Sequence, residues 1–435
     1  MDPITTGFLG CLLLVVLLFI RMPITFVMML VGFLGVWKLA SLEAALPMVA
    51  QTLYSTVSYY PFSIIPLFVI MGGFAENSGI TTKLYDTFDK WFRRFPGGLG
   101  IATIGAIAGF SAISGSSVAT SAAFAKTVIP EMRRFNYAPK FAAGIVAAGA
   151  TIDFLIPPSI GFVVYGMLTE QSIGKLLIAG MLPGLLLSAL FIAIIVLWVK
   201  INPEVAPTPP GRTTWKEKLL AFGGIWETLL VFFLTIGGLY LGYLNPTEAG
   251  GIGAISLLII AVLKRALSWK DFVNSLFETG RVSAMVLFLV AGANMFSYFL
   301  ALSTIPMGVS TWIGGLGVSK YLVLTIVVGI YLVLGCFLDA VSMMVLTMPV
   351  IFPVIVGLGF DPIWFGVICV LMMNAGLITP PVGLNVYTIA GIIRDVPMKE
   401  VFKGALPFLL AIIAVTIILT IFPVIATILP AQMGR

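Results

Sequence analysis

Ile156-Pro157-Pro158-Ser159-Ile160-Gly161 interrupts an apolar run that begins near Phe141 and resumes through Phe162-Val163-Val164-Tyr165. Each proline removes a backbone donor and pushes the residue before it out of the α region, so the run reads as a broken helix. The same device returns 223 residues later as Thr379-Pro380-Pro381-Val382-Gly383-Leu384-Asn385, again inside an apolar run. Two breaks at corresponding places imply a repeat.

Composition gives those breaks their setting. The 435-residue chain is 60% hydrophobic and 10% charged, where soluble domains carry about 25% charged residues. Its apolar stretches reach roughly 17–25 residues, enough to cross a bilayer as helices and too continuous for outer-membrane strands. The fold class is therefore an all-α polytopic membrane protein. Asp2 precedes the first apolar run, Phe8–Ile20, which reads as an ordinary first span and not a cleaved signal. Cys11, Cys336 and Cys369 lie apart inside apolar segments, without metal-ligand spacing. The chain has no histidine, which removes the usual proton shuttle and zinc ligand. The net charge of +6 sits in short loops and reports orientation, not nucleic-acid binding.

Spans are expected at Thr5–Ile20, Pro23–Leu39 and Pro61–Gly79, with a surface segment at Ala40–Tyr60 and a charged amphipathic piece at Thr81–Phe95. Further spans are expected at 176–199, 219–243 and 247–263. The second half repeats the first in order. Leu67-Phe68 with Gly72 matches Leu287-Phe288 with Gly292, Gly97–Gly100 matches Gly314–Gly317, and Pro130 matches Pro353. Equivalent loops differ in charge. Lys83, Lys90, Arg93 and Arg94 have no counterparts in 302–316, whereas 392–403 carries Arg394, Lys399 and Lys403 against one lysine in 170–175. The repeats are thus inverted across the membrane, as in many secondary transporters.

The resulting thread has scaffold helices in 1–60 and repeat one in 61–200, with a re-entrant hairpin at 97–130 and a broken helix at 141–169. A linker with connecting helices follows in 201–280. Repeat two fills 281–430, with a hairpin at 321–355 and a broken helix at 362–391. About 20 of the 24 Lys and Arg fall on the cytoplasmic face, leaving Lys38, Lys175, Lys320 and Arg435 outside. Both termini are then expected on the periplasmic side.

Non-helical backbone at membrane depth belongs where it lines a cavity or is buried in protein. Each repeat offers a hairpin tip and a break: Ser114–Ser117 with Leu155–Gly161, and Gly335–Ser342 with Thr379–Asn385. Hydroxyls, an amide, freed carbonyls and one carboxylate are oxygen ligands suited to a hard cation. Free N–H groups at the half-helix starts favour an anionic group between the two places. Simpler readings stand beside these. Ser116 and Ser117 also suit close helix packing, Asn385 suits a helix cap, and Asp153 suits a structural polar group. Asp339 has no basic neighbour in sequence, and an intramembrane carboxylate is functional by default. Glu248 reads as a helix-start residue. An intramembrane aspartyl protease using Asp153 and Asp339 is an alternative, as is a channel.

Gly115-Ser116-Ser117, Leu155-Ile156-Pro157-Pro158-Ser159, Asn245-Pro246-Thr247-Glu248-Ala249, Phe337-Leu338-Asp339 and Leu377–Asn385 together resemble the large membrane subunit of TRAP (tripartite ATP-independent periplasmic) transporters. The resemblance covers essentially the whole chain. It implies an elevator-type architecture of the ion-transporter superfamily, importing an organic acid such as sialic acid or a C4-dicarboxylate on a sodium gradient. It implies an inner-membrane location, Na+ as the coupling ion with no other cofactor, and two partners: a small four-helix membrane subunit and a periplasmic binding protein. No fused small subunit precedes the first span, so that partner is expected as a separate polypeptide. By position, one sodium site would use Ser116, Ser117 and backbone around Ile156, Pro157 and Gly161. The other would use Asp339, Thr379, Gly383 and Asn385. Ser114, Gly115, Asp153, Ser159, Ser342 and Pro381 are the candidate substrate contacts. Asp153 departs from the small residue that the resemblance leads one to expect there.

Overall fold

Four polar side chains start the helices that matter most. Ser116, Ser159, Asp339 and Asp361 each accept a backbone N–H three residues on, from Ala119, Phe162, Ser342 and Trp364. Such caps satisfy donors that a helix start leaves open, which in an apolar medium have no water to turn to. The computed structural model describes residues 2–209 and 213–433, and every regular element among them is helical. Arg435, expected outside the cytoplasm, lies beyond the described residues, as does Arg212.

The two repeats present their elements in the same order along the chain. The first comprises Leu42–Ser58 and Ile64–Asn77, then Ile80–Phe92 and the hairpin arms Gly98–Ser114 and Ser117–Arg134. It continues through the broken helix Pro139–Gly149 and Ile160–Thr169 to the span Ile173–Ile201. The second comprises Trp269–Leu302, Ile305–Gly315, the arms Lys320–Gly335 and Ala340–Gly357, the broken helix Pro362–Gly376 and Leu384–Ile392, and the span Met398–Ile421. Both double prolines contain a cis peptide bond.

Three expectations need correction. The segment 302–316, expected as a loop, contains the helix Ile305–Gly315, the partner in the repeat of Ile80–Phe92; it lacks the charges that made its counterpart conspicuous. The span expected at 219–243 is two helices, Trp215–Phe222 and Trp226–Tyr240, bent by 42°. Gly223-Gly224 separates them, a dipeptide with poor helix propensity. The boundary drawn at 280 falls inside one continuous helix, Trp269–Leu302. In repeat one the same stretch is bent by 55° between Leu42–Ser58 and Tyr60–Asn77, at the Tyr60-Pro61 step that repeat two lacks.

The repeats pack crosswise. The return arm Ser117–Arg134 lies against Leu384–Ile392 of the other repeat, and Ala340–Gly357 lies against Ile160–Thr169. Small residues allow close backbone crossings elsewhere. A Cβ on Gly404 would overlap the Lys140 carbonyl oxygen, so Met398–Ile421 crosses Pro139–Gly149 with no room for a side chain. A second body forms where Trp269–Leu302 packs on Ile24–Leu39 and Ile64–Asn77, and Pro246–Leu263 on Ile64–Asn77. Its helix Pro246–Leu263 starts with a capping box in which Asn245 and Glu248 exchange backbone bonds of 2.8 Å, the helix-start role expected for Glu248.

Glu227 ties that body to the amphipathic helix Ile80–Phe92. Its carboxylate is only 3% exposed and accepts from Lys83 at 3.3 Å and from Lys264. Lys83 is about half exposed and Glu227 keeps its pair with Lys264, so the single removal of Lys83 is expected to matter little, below about 1 kcal/mol. Glu227→Ala removes two charge-assisted bonds at a buried acceptor and is expected to lose about 1.5–3 kcal/mol. Comparative unfolding of the two variants in detergent checks the order.

Candidate functional site at the hairpin–break junctions

The first junction is built from three elements. The leading arm ends at Ser114, and Gly115 turns the chain at φ +76°, a conformation that glycine adopts without strain. A Cβ on Gly115 would come 3.1 Å from the Pro158 carbonyl oxygen, which places the tip directly on the first break. Ser117, 1% exposed, donates to the Ala150 carbonyl at 2.8 Å. Asn385, fully buried on the other repeat, donates from Nδ2 to Ser117 Oγ at 2.8 Å and to the Ala147 carbonyl at 3.1 Å. The Ala147 and Ala150 carbonyls lie where Pro139–Gly149 tightens into the 3-10 turn Ala150–Phe154, and they accept these two side-chain bonds there. Ser159 closes the break by donating to the Phe154 carbonyl at 2.6 Å while capping Ile160–Thr169. The whole of Leu155–Ser159 is buried, and a Cβ on Gly180 of the following span would overlap the Leu155 carbonyl oxygen.

The second junction follows the same plan with different groups. Asp339 replaces the serine cap and accepts from Ser342 N–H at 3.1 Å while remaining partly exposed. The tip is joined to the second break by Val382 N–H donating to the Cys336 carbonyl at 3.3 Å. Behind it Gly335 and Gly376 meet backbone to backbone: a Cβ on Gly376 would lie 2.6 Å from the Gly335 oxygen. Thr379 Oγ1 donates to the Ala375 carbonyl at 2.5 Å, and Gly383 stands at φ +57°. Pro380 and Pro381 are exposed, so this break is open where the first is covered.

The expected residues therefore separate into two clusters, with one reassignment. Ser116, Ser117, Ile156, Pro157 and Gly161 lie at the first junction, and Asp339, Thr379 and Gly383 at the second. Asn385, expected beside Asp339, instead bonds Ser117 and Ala147. The helix Leu384–Ile392 packs on the return arm of the opposite hairpin, which carries this residue across. The six substrate candidates are not drawn to one cleft. Ser114 meets Thr120 Oγ1 at 3.1 Å in the interior of the first hairpin, beside Gly115. Asp153 and Ser159 are internal to the first break, Ser342 serves the Asp339 cap, and Pro381 is at the surface. Asp153 makes no hydrogen bond to Asp339, so the two do not form the shared-proton dyad of an aspartyl protease. Asn374 was not anticipated. It is fully buried with neither amide atom bonded, and its only signal was a polar residue alone in Val370–Gly376.

Comparison with known proteins identifies the family of the chain. Residues 11–425 match the family model described as the DctM component of the tripartite ATP-independent periplasmic transporter. A C4-dicarboxylate TRAP transporter large permease from Pseudomonas aeruginosa is 35% identical over 386 residues, covering 88% of this chain and 90% of that protein. A sialic acid TRAP transporter large permease from Vibrio cholerae is 29% identical over 415 residues, covering 95% of this chain and 96% of that protein. Among solved structures, the YdaH transporter of Alcanivorax borkumensis superposes with a TM-score of 0.63 at 15% identity, covering 88% of this chain and 89% of that one, a likeness of fold. The chain belongs to the DctM family and is the large, multi-pass membrane subunit of a tripartite ATP-independent periplasmic transporter.

Proposed function

We propose that this subunit imports an organic acid across the bacterial inner membrane on a sodium gradient. The observation that carries the reading is the first junction, where Ser117, Asn385 and the Ala147 and Ala150 carbonyls converge in a desolvated place. Oxygen-rich broken-helix junctions at membrane depth are how secondary transporters hold sodium. The second junction adds the charge: Asp339 is the carboxylate at a hairpin tip that is joined to a break exposing Pro380 and Pro381. Sodium at each junction would draw tip and break together, and the ordered tips would then present the substrate site. Ions shift that equilibrium only by binding the ordered state more tightly than the open one.

The unit that moves is the crosswise body of both hairpins and both broken helices, travelling as an elevator against the scaffold around Trp269–Leu302. A separate small four-helix subunit would cover scaffold helices, and a periplasmic binding protein would deliver the substrate. Both chain termini would then face the periplasm, as the distribution of Lys and Arg implies. The substrate class is a carboxylate: relatives of similar identity carry names for a C4-dicarboxylate and for sialic acid. Uptake into proteoliposomes containing both membrane subunits, with the matching binding protein and a panel of labelled acids, is expected to show saturable accumulation of one acid. Accumulation that persists without the binding protein would count against delivery by that partner.

A further inference from the structure

The helix Ile64–Asn77 belongs to the second body and is held there on two sides. A Cβ on Gly253 of Pro246–Leu263 would overlap Met71 Sδ, and one on Gly250 would come 3.1 Å from Phe68. Toward Trp269–Leu302, Phe74 stacks on Phe272 with ring centroids 5.9 Å apart, and a Cβ on Gly73 would lie 3.1 Å from Ser275 Oγ. Gly72 faces elsewhere. A Cβ there would lie 2.5 Å from the Ser114 carbonyl oxygen and 3.4 Å from its carbonyl carbon. Ser114 is the last helical residue before the first hairpin tip, so the tip rests on a helix of the other body with no room for a side chain between them.

Two surfaces therefore hold the first tip. Gly115 meets the Pro158 carbonyl oxygen of the break, and Ser117 bonds Ala150 and Asn385 on that same side. Ser114 meets Gly72 on the other. When hairpins and breaks travel against the second body, the contacts between tip and break travel with them, and the contact of Ser114 with Gly72 has to part. Backbone seated on backbone leaves no gap of the size of a water molecule, so the seat also closes the way behind the tip.

The second repeat lacks this seat. The position that matches Gly72 is Gly292, whose Cβ would lie 2.8 Å from the Thr25 carbonyl oxygen, so it receives Ile24–Leu39 of its own body and not a hairpin. The second tip is correspondingly open: Phe337 is 64% exposed and Asp339 partly so. One tip is sealed while the other is free.

We propose that Gly72 is a positioning residue for transport, the seat that keeps the first junction closed while the second is open. This rests on the moving-body reading above and adds to it the contact that closes one gate. The first junction then opens only after the tip has left Gly72. A methyl group at position 72 has to displace backbone, and the helix that carries it is fixed from behind, so the tip is what yields. The tip then lifts while the second junction is still open, and the sodium path is open at both ends.

The test uses proteoliposomes of both membrane subunits loaded with tracer sodium, without substrate or binding protein. Gly72→Ala is expected to release sodium several-fold faster than the parent. In uptake assays with binding protein it is expected to reach a lower final accumulation of the acid. Gly73→Ala adds the same methyl group one residue along, against the Ser275 side chain, and is expected to retain sodium as the parent does. Both variants raise helix propensity alike, so an effect on the helix itself would move both. Parent-level retention in Gly72→Ala, or equal leaks in the two variants, would overturn the proposal. If Gly72→Ala does not assemble, amide hydrogen exchange of the parent complex decides instead. Residues 114–118 are expected to exchange far more slowly than 337–342, and similar rates would overturn the seat. Sodium-dependent uptake by the parent tests the transport reading, and the contrast between the two variants tests the seat, so each fails separately.

Discussion

Asp339→Asn is expected to reduce sodium-driven uptake to background while the second hairpin stays folded. Asparagine caps a helix as well as aspartate does, so the bond from Ser342 N–H and the start of Ala340–Gly357 survive. Only the negative charge at the tip is lost. If the second junction holds a cation, that charge contributes most of the attraction, because no other acidic side chain accompanies it in Gly335–Ser342 or Thr379–Asn385. Asp339→Ala removes both cap and charge; the cap is worth about 1 kcal/mol, too little to prevent assembly with the small subunit. Equal uptake defects in the two variants, with normal co-purification of both subunits, identify charge as the lost element. A defect in Asp339→Ala alone would assign the residue to capping.

Gly376→Val is expected to abolish tight seating of the second hairpin on its break. A Cβ there meets the Gly335 backbone oxygen at 2.6 Å, and backbone cannot swing aside as a side-chain end can. Overpacking of this kind costs about 1–3 kcal/mol. Applied to the seated state alone, that corresponds to roughly a 5–150-fold loss in the population available for ion binding. Gly314→Val is the matched control, because its Cβ would enter open space in the helix Ile305–Gly315. Uptake against sodium concentration separates the outcomes. Gly376→Val should need far more sodium for half-maximal rate, while Gly314→Val should follow the parent. Identical curves for all three would show that the close approach of Gly335 and Gly376 is not part of coupling.

Much of this architecture is written plainly in the chain. Double prolines inside apolar runs announce the breaks, because proline cannot continue a helix and its position in the sequence is unmistakable. Loop charge reverses between repeats, which is the basis for reading them as inverted without any contact information. Arms and breaks consequently lie within a few residues of their expected bounds. The helix Ile305–Gly315 was hidden because it carries no charge, so nothing in its composition separated it from a loop between spans. Continuity of Trp269–Leu302 was hidden for a different reason: charged Glu278 and Arg281 flank the boundary drawn at 280, yet both lie inside one long helix opened by the capping Ser268. Partner choice was least legible. Ser117 and Asn385 were both conspicuous, yet their meeting depends on Leu384–Ile392 crossing to the opposite hairpin, and no local pattern encodes that. The Ala147 and Ala150 carbonyls are backbone, and no side-chain pattern marks them as acceptors of Asn385 and Ser117.

Two junctions of hairpin tip and broken helix, each closed by sodium, are the centre of the proposed transport cycle. Uptake of the identified acid by proteoliposomes of the two-subunit complex, with binding protein and under imposed gradients, tests that coupling outright. Accumulation is expected under an inward sodium gradient, abolished when potassium or choline replaces sodium and unaffected when the proton gradient is dissipated. Full accumulation in sodium-free medium, driven by a proton gradient alone, would refute sodium coupling at these junctions.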